Sequence, residues 1–347
     1  MKTLDFYQVA CPKCHGQINS IAPLSGQMPC PFCGTVFLVT ANVSKKTEVP
    51  GQIVHFATSI GDFEQSARKM LFGEDYAPAN ISEIISFKDI KGIYLPVYLY
   101  EGMYECAWSS KIKQDIPVDA DADVAKNRKE VYRQQNGVSK GNYSIVCMAC
   151  KGEETGKELD EYVRTLDYKG DGIKPFLPED LNEYLFLNHN RDINKTWTQW
   201  GKDILDVMVR KNTQMQLQSN DFKCFKYTIT SDAFHEGKFI FFPIWMVNYQ
   251  YDGELHHIFM DGTGRNGVKG TTLVDRVLKA EAEKPFTILK YIAVAAIIIP
   301  LLMLLAGWSL PAIITLIATG LVFFGYRFYA RWNKGRLIRK TRKKFNV

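Results

Sequence analysis

The sequence predicts an α+β fold in three parts: an N-terminal cysteine-rich ribbon, a two-part β-rich body with helices, and a C-terminal hairpin of two apolar helices. Three observations support this prediction: two closely spaced cysteine pairs, two proline-containing aromatic segments, and a long stretch without charged residues. The length of 347 residues allows two or three domains. A composition of 46% apolar and 23% charged residues excludes disordered, collagen-like and fully membrane-embedded chains.

The cysteine pairs have the spacing of a four-thiolate zinc site. Cys11 and Cys14 are separated by two residues, fifteen residues follow, and Cys30 and Cys33 form the second pair. Two such knuckles can place four thiolates tetrahedrally around one ion. Because four protein ligands leave no position for water, we predict one structural Zn²⁺ and interpret His15 as a surface residue. Disulfides are the alternative, which a reducing compartment disfavours.

The predicted zinc ribbon covers residues 1–41. Its tight loops need positive φ angles, which Gly16 and Gly34 would supply, and Val36–Val39 has the composition of a short strand. A unit of about 40 residues buries too little core to fold alone, so we expect the metal to carry its folding. The polar segment 42–51 is predicted to be a linker.

The body, residues 52–287, contains both helix and strand patterns. Apolar spacing over 62–72 predicts a helix. A second helix is predicted over about 192–211, where apolar residues from Ile193 to Val207 recur at intervals of four and three. We interpret this stripe as a packing face and not as a cofactor site.

Two segments of the body share a pattern: an apolar-aromatic strand with a proline, a turn ending in glycine, and a return strand. They occupy residues 93–109, with the turn at Glu101-Gly102, and residues 239–260, with the turn at Asp252-Gly253. Pro96 and Pro243 would place the first strand of each segment at a sheet edge or a bulge. We therefore expect two related halves, at about 52–135 and 176–287.

The stretch from Tyr291 to Tyr326 has 36 residues and no charged side chain. As one helix it would be about 54 Å long, whereas the hydrocarbon core of a bilayer is about 30 Å thick. A break at Gly307-Trp308-Ser309 gives two membrane spans within residues 288–328. A re-entrant hairpin and a buried globular hairpin are the alternatives.

The tail, residues 329–347, is strongly basic. Residues 327–347 hold nine Lys and Arg and no Asp or Glu, so subtracting +9 from the net charge of +6 leaves −3 for the rest of the chain. The positive-inside rule predicts a two-span protein of the cell membrane whose termini and body face the cytoplasm. The tail would contact anionic lipid headgroups, and the body lacks the positive surface that nucleic acid requires.

No grouping of catalytic residues is visible, so we predict that the chain is not an enzyme. The G-x-G-x-x-G run at 262–267 follows a hairpin and not a βαβ unit, so we interpret it as a turn. A calcium-loop pattern over Asp119–Glu130 has Val124 where glycine is needed. Cys147 and Cys150 form a further C-x-x-C pair, for which a second metal site with Cys106 or Cys224, an unrecognised redox site and plain thiols all stay open.

In this order, the motifs resemble bacterial membrane-anchored proteins with a TFIIB-type zinc ribbon. The resemblance is carried by the CPKC and CPFCG knuckles, the segments 92–98, 116–119, 242–246 and 260–265, and the apolar hairpin. Members of that family are often encoded beside SPFH-domain and phage-shock (PspA-like) proteins. The resemblance thus implies a membrane platform that recruits peripheral oligomers during envelope stress.

We therefore expect a non-enzymatic membrane adaptor whose ribbon and body bind cytoplasmic proteins. The alternative is a membrane-tethered nucleic-acid-binding protein, a role that zinc ribbons also serve. Residues 1–40 contain only Lys2 and Lys13 as basic groups, against Asp5, which favours the adaptor.

Overall fold

The computed structural model describes residues 2–78, 80–81, 85, 87–113, 132–150, 157–217, 221–234, 237–251, 253–307 and 309–344. It confirms a mixed α+β fold with a large β-sheet and two apolar helices at the C-terminus. The chain divides into two compact units. The first comprises Met1–Ile60, Asp89–Asn248 and Phe259–Lys269, and the second comprises Gly61–Lys88, Tyr249–Ile258 and Gly270–Val347.

Fourteen strands are found in the described part of the chain. They are β1 (Lys2–Ala10), β2 (Gln17–Ser20), β3 (Gly26–Pro29), β4 (Val36–Val39), β5 (Val43–Val49), β6 (Gln52–Val54), β7 (Lys91–Lys113), β8 (Tyr132–Met148), β9 (Ile173–Pro175), β10 (Leu185–Phe186), β11 (Phe222–Phe234), β12 (Lys238–Tyr251), β13 (Glu254–Asp261) and β14 (Lys269–Gly270).

The α-helices are α1 (Ile60–Gly73), α2 (Lys157–Val163), α3 (Ile193–Thr196), α4 (Lys202–Met215), α5 (Arg276–Leu305) and α6 (Ser309–Lys344). Short 3₁₀ helices lie at Phe87–Asp89 and Pro178–Leu181. The helix predicted over 62–72 is confirmed as α1, which buries Phe63, Ala67 and Leu71.

The sheet of the first unit is built around β7. This strand pairs antiparallel with β8, β11 and β12 and parallel with β10. From β10 the sheet continues through β2 and β1 to β5, while β6 pairs with β12 and β9. The N-terminal strands β1, β2 and β5 therefore share one sheet with the body, whereas β3 and β4 form a separate two-stranded sheet.

The segment expected to be a linker, 42–51, is instead mostly strand. Residues Val43–Val49 form β5, which pairs antiparallel with β1. Because β5 is polar and lies at the end of the strand order, it shows no apolar alternation by which the sequence could reveal it. Two strands away from β5 in the sheet, the Asn19 side chain of β2 donates a 3.0 Å hydrogen bond to the carbonyl of Phe186 in β10. The ribbon is thus attached to the body through the pairing of β2 with β10.

The turn predicted at Glu101-Gly102 is wrong. β7 runs through both residues as one 23-residue strand, and Gly102 pairs with Tyr143 of β8. Glu-Gly lacks the strong turn preference of Asp-Gly, so pairing with long neighbours keeps the strand extended. In the second segment a turn separates β12 from β13, and Gly253 has a φ of 79°. Asp252 of that turn lies outside the described residues.

Pro96 and Pro243 do not lie on edge strands. In the ladder between β7 and β12, Pro96 is opposite Phe241 and Pro243 is opposite Tyr94. On the other side of β7, the pairing with β10 ends at Tyr94 and the pairing with β8 begins at Val97. Pro96 therefore falls where the neighbouring strand changes, and no ladder bond requires the amide that it lacks.

The backbone contacts around the two prolines repeat. Each proline carbonyl accepts a 2.8 Å hydrogen bond from the amide of the first residue after a neighbouring strand, β8 in one case and β13 in the other. The carbonyl of that residue in turn accepts hydrogen bonds from two successive amides of a loop. In each case the loop joins a short parallel strand, β10 or β6, to the helix that follows it. The corresponding residues are Pro96, Ala149, Asn190 and Arg191 in one set, and Pro243, Gly262, Ala57 and Thr58 in the other. Such repetition supports the expectation of two related halves, which stays a prediction.

The helix predicted over about 192–211 contains a π-helical turn. α3 passes through Trp197–Gly201, which is π-helical, into α4. The wider turn inserts extra residues and rotates the apolar face. Val207, expected in the buried stripe, is therefore 67% exposed, whereas Leu205 and Val209 are buried.

The C-terminal helices α5 and α6 are long and apolar enough to cross a membrane, and only 6% of the most apolar window of each is buried. They are separated at Gly307, which has a φ of 81°. This agrees with the predicted break, of which Trp308 lies outside the described residues.

The glycine-rich run 262–267 forms a turn built on Asp261. This fully buried carboxylate accepts hydrogen bonds of 2.5–2.7 Å from the amide and hydroxyl of Thr263 and from the amide and side chain of Asn266. Gly264 has a φ of 73°. The glycines therefore serve a compact turn, as predicted.

Replacing Asp261 with alanine should destabilise the fold by about 3 kcal/mol, because four hydrogen bonds from half-buried donors lose their buried acceptor. The matched control is Asp171→Ala, since Asp171 is exposed and forms an ion pair with Arg265, which is worth at most about 1 kcal/mol. Urea unfolding followed by circular dichroism measures both. Equal effects would contradict the structural role of Asp261.

Candidate metal centre

The four predicted ligands come together in the structure. The sulfur atoms of Cys11, Cys14, Cys30 and Cys33 all lie within 4.8 Å of one another. The Cys11–Cys33 and Cys14–Cys30 sulfur distances are 3.6 and 3.7 Å. Sulfurs at about 2.3 Å from a tetrahedral ion would be about 3.8 Å apart. The cluster therefore fits a four-thiolate metal site, and all four cysteines are free thiols.

Two backbone loops of the same design position the thiols. In each loop, the backbone amide of the first cysteine donates a hydrogen bond to the carbonyl of the residue five positions later. The carbonyl of the same cysteine accepts a hydrogen bond from the amide of the residue four positions later. The pairs are Cys11 to Gly16 and His15 to Cys11, then Cys30 to Thr35 and Gly34 to Cys30, at 2.9–3.0 Å. This repetition makes the two knuckles equivalent in geometry.

One expectation about these loops is wrong. The position with positive φ is His15 in the first knuckle, at 59°, and Gly34 in the second, at 66°. Gly16 is needed for a different reason, because a Cβ there would lie 2.5 Å from the ring of Phe32. The side chain of His15 is exposed, as predicted.

The knuckles are held against the body. Cys11 and Cys30 are buried at 0% and 1% exposure, in a cluster that includes Leu95 of β7 and Phe242 of β12. The side-chain amide of Asn248 in β12 donates to the carbonyl of Cys30 at 3.4 Å and to that of Pro31 at 2.7 Å. The body thus supplies packing and hydrogen bonds that an isolated ribbon would lack.

Asn248 is the site residue that the sequence did not predict. Asn248 belongs to no local motif with Cys30 and Pro31, and it follows them by more than two hundred residues. Only the pairing of the strands brings it to the second knuckle. Hydrogen bonds of this kind, to the loops that carry the metal ligands, hold those loops in their orientation.

At two of the four positions, the surroundings of the cysteine oppose thiolate formation. Burial raises the pKa of the Cys14 and Cys30 thiols. Burial also disfavours the Cys33 thiolate, but hydrogen bonds with Thr35, Cys14 and Cys11 together outweigh it and lower the pKa of Cys33 to about 7. A bound cation is what would hold all four sulfurs as thiolates at neutral pH.

Metal affinity should therefore fall as the pH falls. Cys14 and Cys30 are protonated in the metal-free protein near neutral pH, so each must release a proton when the ion binds. With at least two protons released, affinity should drop about a hundredfold per pH unit between pH 8 and 6, and more steeply once Cys33 protonates below about 7. Competition with a chelator of known affinity measures this slope, and a flat profile would contradict thiolate ligation.

Cys147 and Cys150 cannot share one ion. Cys147 packs with Tyr98 and Tyr100 on one face of the sheet, whereas Cys150 belongs to the cluster on the other face. Burial raises the pKa of Cys147 to about 12, so its thiol is a poor nucleophile. Cys106 lies about 26 Å along β7 from the position opposite Cys147. The structure thus favours plain buried thiols at these positions.

Within the described ranges, the N-terminal cysteine cluster is the group of three or more His, Cys, Asp or Glu residues whose ligand atoms converge. The calcium-like segment Asp119–Glu130 lies outside those ranges. The chain matches no protein-family model, no curated protein and no solved structure. The assignment of the metal centre therefore depends on the sulfur distances and the paired knuckle loops.

Proposed function

We propose that this chain is a non-enzymatic, membrane-anchored zinc-ribbon adaptor. The observation that carries the proposal is the combination, in one chain, of a four-cysteine cluster packed against the body and two apolar helices whose surfaces are exposed. Four sulfur ligands occupy every position of a tetrahedral ion, so the metal would stabilise the structure and would not bind substrate. Zinc is the ion that best suits this ligand set in a site without redox chemistry.

The membrane part of the proposal is supported by the distribution of charge. α5 and α6 contain the charge-free stretch Tyr291–Tyr326, and the nine basic residues of 327–347 follow it directly. By the positive-inside rule, both ends of the hairpin and the body would face the cytoplasm. The basic tail would add attraction to anionic lipid headgroups.

An apolar patch on the ribbon supports protein binding. Val36 and Leu38 lie on the same face of β4 and are 62% and 59% exposed. Adjacent exposed apolar side chains of this kind are found at protein interaction sites. The resemblance to TFIIB-type membrane proteins suggests SPFH-domain or PspA-like oligomers as the partners.

A crosslinked pulldown from membranes tests the adaptor. The double variant Val36→Asp/Leu38→Asp alters the patch and leaves all four cysteines in place. The control is Val138→Asp, because Val138 on β8 is a valine of similar exposure, 58%. We expect the wild type and Val138→Asp to retain an SPFH-domain or PspA-like partner, and the patch variant to lose it. A partner that stays at the membrane in cells whose chain lacks residues 288–347 would contradict recruitment.

One observation favours the alternative of nucleic-acid binding. β5 brings the exposed Lys45 and Lys46 beside β1, next to Phe6 and Asp5. These two lysines give the ribbon sheet only a small positive excess, so we expect log K for single-stranded or duplex DNA to show almost no slope against log salt. A steep slope would make nucleic-acid binding the better proposal.

A further inference from the structure

The second unit contains a cavity of about 340 Å³ between its helices. It lies where the N-terminal half of α5 and the C-terminal half of α6 meet the loop after α1. Its walls are formed by Tyr76, Glu283, Phe286, Thr287, Lys290 and Lys334. Four of these residues are spaced by three and four along α5, so they occupy one face of that helix.

The cavity lies next to the charge-free part of the hairpin. Lys290 directly precedes Tyr291, the first residue of the charge-free stretch, and Lys334 lies two turns beyond Arg327, which follows the stretch. If the hairpin spans a bilayer, the ends of its apolar part meet the headgroup region. The cavity therefore lies at the depth where lipid phosphates are found.

The chemistry of the walls suits a phosphate ester. Lys290 and Lys334 supply two ammonium groups, and Thr287 adds a hydroxyl. Lysine binds phosphate as a point charge, and such basic pockets between membrane helices bind lipid headgroups. Glu283 can accept hydrogen bonds from a hydroxyl or ammonium group, which many headgroups carry beyond the phosphate.

Contacts with neighbouring residues and with each other hold two of the cavity walls, Tyr76 and Lys334, in place. The Lys334 ammonium lies 3.5 Å from the carboxylate of Asp75 and 5.5 Å from the centre of the Tyr76 ring. The carbonyl of Tyr76 accepts a 2.8 Å hydrogen bond from the amide of Asp275. Lys290 is exposed and has no ion pair among the residues that the structure describes. One cation is thus held in place and the other is free to reach a ligand.

We propose that this cavity binds the headgroup of a glycerophospholipid, with the phosphate between Lys290 and Lys334 and the distal headgroup donor on Glu283. The proposal rests on the proposed function, since a bilayer lipid reaches the cavity only if the hairpin is in the membrane. The shared chemistry is that of a phosphate ester, which a soluble phosphate could also provide.

The test uses the full chain in detergent and native mass spectrometry to count bound ligand. The probes are short-chain phosphatidylglycerol, short-chain phosphatidylcholine and inorganic phosphate, and the variants are Lys290→Ala/Lys334→Ala and Lys284→Ala. Lys284 is an exposed lysine of the same helix that does not line the cavity. We expect one tightly bound phosphatidylglycerol, weakened at least tenfold in the double variant and less than twofold in Lys284→Ala.

Phosphatidylcholine should bind more weakly than phosphatidylglycerol, because its quaternary ammonium offers no hydrogen to Glu283. Equal losses in both variants would show a diffuse charge effect and overturn the proposal. Binding of inorganic phosphate as tight as that of lipid would overturn the assignment to lipid. Membrane anchoring is tested separately, by sedimentation with membranes. The double variant should sediment like the wild type, since its apolar helices are unchanged. A wild-type chain found in the soluble fraction would refute the proposed function, whatever the result for the lipid.

Discussion

Serine in place of Cys30 should abolish stoichiometric metal binding. If the ~10–16 kcal/mol of a four-ligand structural zinc site is shared among its ligands, losing one thiolate costs about 3 kcal/mol, or more than a hundredfold in affinity. Cys30 is also the ligand whose carbonyl contacts Asn248, so the loss should extend into β12. Metal analysis of the purified full chain should give one zinc for the wild type and a small fraction of that for Cys30→Ser.

The matched control is Cys224→Ser, because Cys224 is exposed and lies outside the cluster. Its metal content and unfolding midpoint should equal those of the wild type. The midpoint of Cys30→Ser should fall, but the sheet should still form, since β1, β2 and β5 keep their strand partners. A wild type with no bound ion, or a Cys30→Ser variant that keeps a full equivalent, would contradict the metal centre.

Arginine in place of Ile297 should impair membrane insertion. Ile297 is at the middle of the predicted first span, where a charged side chain costs about 2.5–3.5 kcal/mol. Val277 on the same helix α5 is equally exposed, at 77% against 68%, but lies outside the charge-free stretch. Val277→Arg should therefore have no effect.

The two variants distinguish a membrane helix from a soluble one. On a solvent-exposed helix, both substitutions replace an exposed apolar residue and should behave alike. Resistance to carbonate extraction measures insertion: we expect a large loss for Ile297→Arg and wild-type behaviour for Val277→Arg. Identical behaviour of the two variants would contradict the membrane hairpin.

Features governed by local chemistry could be predicted from the sequence. The C-x-x-C pairs, the strand at Val36–Val39, helix α1 and the break near Gly307 each depend on neighbouring residues, and the structure agrees with all of them. The signal in each case is spacing, periodicity or a turn-forming residue.

Features governed by distant partners could not be predicted. Glu101-Gly102 would suit a turn in isolation, but pairing with β8 and β11 keeps β7 extended. β5 is too polar to show alternation, and the π-helical turn at Trp197–Gly201 changes which side of the helix is apolar. Asn248 reaches the metal knuckle only after strands far apart in the chain have paired. Tertiary context decides each of these positions.

The pairing of β6 with β12 has a consequence for biosynthesis. Gln52 of β6 cannot pair with β12 until Ile240 has been synthesised, because these two residues are neighbours in the ladder. Contacts between such distant residues form slowly. The charge-free stretch that starts at Tyr291 begins only about fifty residues after Ile240, so the sheet can close only shortly before the apolar helices are synthesised. A delay in strand pairing would leave unpaired strand edges exposed to aggregation at the same time as these apolar segments.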